Sequence, residues 1–306
     1  MFMTHGTNPA ADPRPPGDVI VGVDGSRASD SAVRWAARTA AERGRLLRIL
    51  HGLGLTTAGL LLGSDRLGAA DALDKLRRKA DECVAGAVAL ARETAPELDI
   101  DTEVSDLGPA RLLIEQSRSA HLVVLGVSGV GGALTRLGST LTAVVAHGHG
   151  AIVVVRGADE QDPDLSARPV VVGVDGNPAG QAATRVAFAE ADALGVPLVA
   201  VHTWSDLPVG GLPGAAPELD PMTEAEAQRT LQEQLARCQE QYPDVVIVRK
   251  VYLSGPRDRL IGWSRSAQLL VVGSRGRGGF RGLLLGSTSQ TLVQQSHCPV
   301  MVVHQR

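Results

Sequence analysis

The same ordered series of short segments occurs twice in this chain, and that repeat constrains the fold more than any other feature. Asp18-Val-Ile-Val-Gly-Val-Asp-Gly-Ser26 returns as Pro169-Val-Val-Val-Gly-Val-Asp-Gly-Asn177. Leu122-Val-Val-Leu-Gly126 returns as Leu269-Leu-Val-Val-Gly273, Gly138-Ser-Thr140 as Gly286-Ser-Thr288, and Ala151-Ile-Val-Val-Val155 as Pro299-Val-Met-Val-Val303. The offset stays near about 150 residues, the size of an ordinary domain. The repeat therefore predicts two domains, 18–156 and 169–306, joined by a polar linker over 157–168. Met1–Gly17, rich in Pro, Gly and Asn, reads as a disordered tail with no signal-peptide or lipidation pattern.

Within each half, apolar runs alternate with helical spacings. In the second half, Val170–Val174, Leu198–His202, Val245–Leu253, Leu269–Val272 and Val300–Val303 read as strands. Ala182, Val186, Ala189 and Ala193 recur at helical spacing, a polar helix runs from about Met222 to Gln241, and Pro256 opens a short helix to Ser266. Aromatic residues are only 3% of a chain that is 44% apolar, so the core is aliphatic, as suits a sheet covered on both faces. Regular βαβ alternation predicts parallel sheets with right-handed crossovers. The net charge of −3 offers no general attraction for nucleic acid or an anionic membrane, and no apolar run approaches the ~20 residues of a membrane span. Cys83, Cys238 and Cys298 are scattered and odd in number, without zinc spacing, which predicts a reduced, cytoplasmic setting.

Open parallel sheets bind ligands beyond the carboxyl ends of their strands. Asp24 and Asp175 fall there in the two halves, as do Gly126 and Gly273. The second half continues Gly273-Ser-Arg-Gly276, nine residues, Gly286-Ser287. Glycines let backbone N–H groups approach a phosphate, and Gly286-Ser-Thr-Ser-Gln290 opens a helix whose N-terminus favours negative charge. Ser287 offers a hydroxyl, Arg275, Arg277 and Arg281 add positive charge, and Asp175 stands across the crevice to accept from an adenosine.

With Val-Gly-Val-Asp-Gly at its start, Val-Val-Gly-Ser-Arg-Gly, nine residues, Gly-Ser, and a closing Cys-Pro-Val-Met-Val-Val, the second half resembles a universal stress protein domain, and the resemblance covers nearly all of both halves. The resemblance implies an α/β fold of two tandem doubly wound five-stranded parallel sheets, each ordered 3-2-1-4-5. It also implies ATP, with or without Mg2+, as ligand. By position, Asp175 would meet adenosine and Thr203 adenine through its backbone. Gly273, Gly276, Gly286 and Ser287 would hold phosphates, with Thr288 and Ser289 behind them. Asp24, Gly52, Gly126, Gly129, Gly138 and Ser139 occupy those places in the first half. There only eight residues separate Gly129 from Gly138, and the loop carries Arg136 alone, so the second half reads as the principal site.

No lysine-bearing Gly-x-x-x-x-Gly-Lys-Ser/Thr loop is present, and no carboxylate adjoins the phosphate glycines to orient water. The expectation is an ATP-binding stress-response regulator, at most a weak ATPase. The alternatives are a slow ATP-hydrolysing or nucleotide-transferring enzyme and a nucleotide-free interaction scaffold. His51 and His202 read as ordinary strand-end histidines, Cys298 as a small buried residue, and Lys75, Arg77, Arg78 and Lys79 as a solvated face paired with Asp71, Asp74 and Asp81. The apolar last strands, Ile152–Val155 and Val300–Val303, are edges that invite pairing. The resemblance implies that they meet antiparallel, here inside one chain as a pseudo-dimer. A homodimer through another surface and an unnamed regulatory protein complete the expected partners.

Overall fold

The computed structural model describes residues 17–55, 66–127, 138–156, 165–204, 221–276 and 285–305. The tail, most of the linker, Gly129, Arg136, Arg277 and Arg281 lie outside them.

The first half contributes strands β1 (Val19–Gly22), β2 (Leu47–Gly52), β3 (Ile100–Ser105), β4 (Leu122–Val127) and β5 (Ala151–Arg156). Its helices are α1 (Arg27–Glu42), α2 (Arg66–Thr94), α3 (Pro109–Gln116) and α4 (Ser139–His147). The second half repeats them as β6 (Val170–Val174), β7 (Leu198–Thr203), β8 (Ile247–Tyr252), β9 (Leu269–Gly273) and β10 (Val300–Val303). Its helices are α5 (Pro178–Leu194), α6 (Pro221–Gln241), α7 (Pro256–Trp263) and α8 (Ser287–Gln295).

The strands form one ten-stranded sheet ordered β3-β2-β1-β4-β5-β10-β9-β6-β7-β8, so each half is parallel and ordered 3-2-1-4-5. The join is antiparallel: Val154 faces Val300, Val153 faces Met301, Ile152 faces Val302 and Ala151 faces Val303. The two apolar edges thus close on each other within the chain, where bare edges would invite intermolecular pairing. Each strand alternates its side chains between two core layers. Val19, Val21, Leu122, Val153, Val170, Val172 and Met301 pack with α1, α2, α5 and α6, while Ile20, Val123, Ile152, Val171, Leu270 and Val302 pack with α3, α4, α7 and α8.

Helix α1 begins at Ser26, whose hydroxyl oxygen accepts from Ser29 N–H at 3.2 Å, and it buries Ala32, Val33, Ala36, Ala37 and Ala40 completely. Such small side chains let the helix lie close to the sheet. Helix α5 begins at Asn177, with Pro178 at its first position, and ends at Gly195 in the left-handed region (φ 64°). Its buried face differs from the expected Ala182, Val186, Ala189 and Ala193: Ala183, Ala187, Phe188 and Ala191 are fully buried, and Ala193 is exposed. Alanine on every side leaves the helical phase undetermined, and the one large side chain, Phe188, sets it by stacking near Tyr242 (ring centroids 6.1 Å apart). The expected strand over 245–253 is shorter, and so is the helix expected to reach Ser266.

Two kinds of contact reinforce the join. Arg43, at the end of α1, pairs with Glu190 of α5, a residue only 5% exposed, and the same guanidinium donates to His121 Nε2 at 3.2 Å. Arg156, following Val155 on β5, donates to the Val293 carbonyl of α8, and at the matching place after β10 His304 Nε2 bonds the Val145 carbonyl of α4 at 3.0 Å. Each half therefore grips the far end of the other half's last helix.

Candidate functional site

The carboxyl ends of the parallel strands converge where β1 and β4, or β6 and β9, send their connections to opposite faces. In the first half a cleft of about 410 Å3 opens there. Its polar lining includes Asp24, Ser26, His51 and Ser139, and its apolar lining includes Leu50, Leu112, Leu113 and Leu141. Gly52, Gly126 and Gly138 also line it, so five of the six expected first-half positions, all but Gly129, line one surface. The volume falls in the ~300–1,000 Å3 range of small-molecule sites, with an apolar wall and a few polar groups, as such sites require.

The glycines divide into two kinds. A Cβ at Gly126 would lie 2.0 Å from Ala28 O, and one at Gly273 would lie 2.8 Å from the Ala179 carbonyl carbon. These glycines let the first turns of α1 and α5 cross the strand ends. Gly52 is required in the same way by the passing segment 107–109, since its Cβ would come 2.7 Å from Pro109 Cα. Gly138 differs: among the described residues a Cβ there meets nothing within 4 Å. The same is nearly true of Gly276, whose Cβ would approach only Asp175 Oδ2, at 3.5 Å. Gly52, Gly126 and Gly273 therefore owe their missing side chains to the packing of the chain itself, which the described residues do not require at Gly138 or Gly276.

Ser139 and Ser287 are the first residues of α4 and α8, and both are exposed at N-termini whose preceding glycines provide no side-chain cap. Thr288 is half-buried beside Ser287. Ser289 points elsewhere: it is buried and donates its hydroxyl to Gly273 O at 2.6 Å, tying α8 to the end of β9. Thr203 closes β7 and is buried, while Trp204 beyond it is 40% exposed. His51 and His202 place Nδ1 2.9 and 2.8 Å from the carbonyls of Val23 and Val174, so Nδ1–H donates there and ties down the turns carrying Asp24 and Asp175.

Asp24 and Asp175 are set differently. Asp24 is exposed and accepts from Ser26 N–H at 3.0 Å. Asp175 accepts from Asn177 N–H at 3.2 Å and from the Asn177 amide at 2.6 Å, and that amide also donates to Arg275 O at 3.0 Å. Asn177, which caps α5, and Gly180 were not among the residues expected here from the sequence. Cys83 of α2 lies 3.5 Å from where a Gly25 Cβ would be, and burial, helped by Asp24 and Asp30, pushes its thiol pKa up and keeps it neutral. Among the described residues no group of three or more His, Cys, Asp or Glu side chains is arranged to hold a metal, and no helix is long and apolar enough to cross a membrane.

Ten strands in two mirrored 3-2-1-4-5 units, each with its special residues at the carboxyl ends, define a tandem protein of the doubly wound α/β class. The family model for universal stress proteins matches residues 17–156 and again 166–304, and the chain belongs to that family. A universal stress protein of Mycolicibacterium smegmatis is 41% identical over 290 residues, covering 94% of this chain and 97% of that one. Universal stress protein Rv2005c of Mycobacterium tuberculosis is 40% identical over 301 residues, covering 96% and 99%. Among solved structures, a universal stress protein from Archaeoglobus fulgidus DSM 4304 matches with a TM-score of 0.69 over 94% of this chain and 98% of that chain; at 18% identity this is a likeness of fold.

Proposed function

We propose that the protein binds an adenine nucleotide, with ATP as the physiological form, and acts as a regulator with little or no turnover. The observation that carries this reading is the first-half cleft, where an apolar wall, Asp24, the open Gly138 and the N-terminus of α4 face one space. An adenine suits the leucine wall, a ribose hydroxyl suits Asp24, and phosphates suit the uncapped N–H groups ahead of Ser139. Mg2+ would accompany the phosphates, since magnesium is commonly held by phosphate oxygens and few protein ligands. The same roles fall to Asp175, Thr203, Gly276, Gly286 and Ser287 in the second half, with Gly273, Thr288 and Ser289 shaping the cradle.

Low turnover follows from the lining. Among the described residues Asp24 is the single carboxylate in the cleft wall, and it is assigned to the sugar, which leaves no second carboxylate there to orient an attacking water. A cytoplasmic location is part of the same proposal.

Denaturing the purified protein and identifying the released small molecule tests the reading directly, together with calorimetric titration of ATP. An adenine nucleotide released or bound is expected; neither would sink it. Hydrolysis near ~10 s⁻¹, an ordinary enzymatic rate, would replace the regulator by an enzyme. Asp24→Ala should weaken adenosine binding by about 1.5–3 kcal/mol while leaving competition by inorganic triphosphate nearly unchanged. Equal losses for both would refute the role of Asp24.

A further inference from the structure

The structure assigns Asn177 as a latch that holds the second-half crevice shut, so that the two halves fill with nucleotide at different concentrations, the first half before the second. The inference rests on the nucleotide reading above and adds the residue that separates the two sites.

Three contacts close the second crevice. The Asn177 amide bridges its two sides, donating to Asp175 Oδ2 on one and Arg275 O on the other. Gly180 lies where the Asp175 carboxylate settles: a Cβ there would be 2.0 Å from Oδ1, so only the absence of a side chain lets the carboxylate rest against the first turn of α5. The Gly286 N–H, one of the groups placed to meet a phosphate, is already bonded to Ser274 O at 2.8 Å.

None of the three has a counterpart among the described residues of the first half. Ser26 replaces Asn177; its hydroxyl caps α1 through Ser29 N–H, and it has no amide to cross the crevice. Ser29, 5% exposed, replaces Gly180, so a Cβ stands where the carboxylate would settle, and Asp24 remains exposed. Among the described residues Gly138 N–H has no bond like that of Gly286, and the first-half cleft is open. An arriving nucleotide finds the first site formed, whereas at the second it has to displace an amide from a carboxylate and a carbonyl. The binding-competent state of the second site is the minor one, and apparent affinity falls by its fractional population.

Photolabelling the full chain with 8-azido-ATP over a concentration series, with peptide mapping, reads the two sites separately. Label is expected in first-half peptides at concentrations about tenfold or more below those that label the second half, the equivalent of one charge-assisted hydrogen bond. Asn177→Ser should bring the two halves together. It keeps a capping oxygen, as Ser26 does, so the fold is expected to survive. Ser26→Asn with Ser29→Gly should shift first-half labelling to higher concentration. Should the Asn177 variant not fold, the wild-type series and the first-half double variant still decide. Equal labelling of both halves in the wild type, or second-half labelling first, would overturn the latch and leave the nucleotide reading standing. Absence of ATP-competable label in either half would overturn both.

Discussion

A methyl group added at Gly126 would lie 2.0 Å from the Ala28 carbonyl oxygen, whereas one added at Gly138 would meet no atom of the described residues within 4 Å. The two substitutions therefore separate folding from binding. Gly126→Ala should destabilise the protein by about 3 kcal/mol, because the backbone of α1 has to move. Gly138→Ala should cost less than about 1 kcal/mol, the difference between glycine and alanine at a helix cap, yet weaken nucleotide binding. Chemical denaturation and calorimetry on both variants check this; a stable Gly126→Ala protein would contradict the packing account. At this scale the sequence made the positions legible and not their causes. Gly126 and Ala28 are neighbours only in the fold, and the bond from Asn177 to Arg275 spans 98 positions, so neither could be seen in a local motif. The proposed order of the two sites rests on contacts of the same long-range kind. Loop length and arginines favoured the second half, while the open cleft of the first depends on Ser26 and Ser29, which look like ordinary helix-start residues.

At the scale of elements, the strands were legible because both faces of the sheet are covered, which leaves continuous valine and leucine runs. Helix α5 was legible as a helix but not in its phase, since alanines surround it and Phe188 alone decides. The cross-grip of the last helices was invisible, and it has a pH consequence. Burial, eased by the bond to Val145 O and aided by His149, Arg275 and His147, lowers the His304 pKa from 6.5 to about 4. The unfolded chain thus takes up the proton first as pH falls. Stability held by neutral His304 above pH 6.5 is lost between 6.5 and 4 and changes no further below. Wild type should lose on the order of 2 kcal/mol more than His304→Gln across that window, read from denaturant midpoints at about pH 8 and about pH 4. Parallel losses in the two proteins would remove His304 from this role. Arg156, its counterpart, stays charged throughout, so acid loosens the grip on α4 and spares that on α8.

Across the whole molecule, Arg43 and Glu190 form a buried pair between the halves. Glu190→Ala should cost about 3–5 kcal/mol by stranding a guanidinium, whereas Arg43→Met with Glu190→Leu should come close to neutral. A double variant as unstable as the single one would show that the pair contributes more than its own neutralisation. The β5–β10 join was expected from the apolar edges and its antiparallel sense from the family resemblance, and it makes a further demand. The isolated segment 17–156 should self-associate through β5, visible as concentration-dependent sedimentation; a monomer with β5 bare would argue against the edge account.

That join also removes a control that separate subunits would possess. Tethered partners meet at an effective concentration fixed by the chain and independent of the amount of protein. Dilution and expression level therefore do not shift the balance between joined and separated halves. In a homodimer, mass action would couple abundance to assembly, and both sites would share one sequence. Here the two sites stay in a one-to-one ratio at every abundance, and each is free to carry its own side chains.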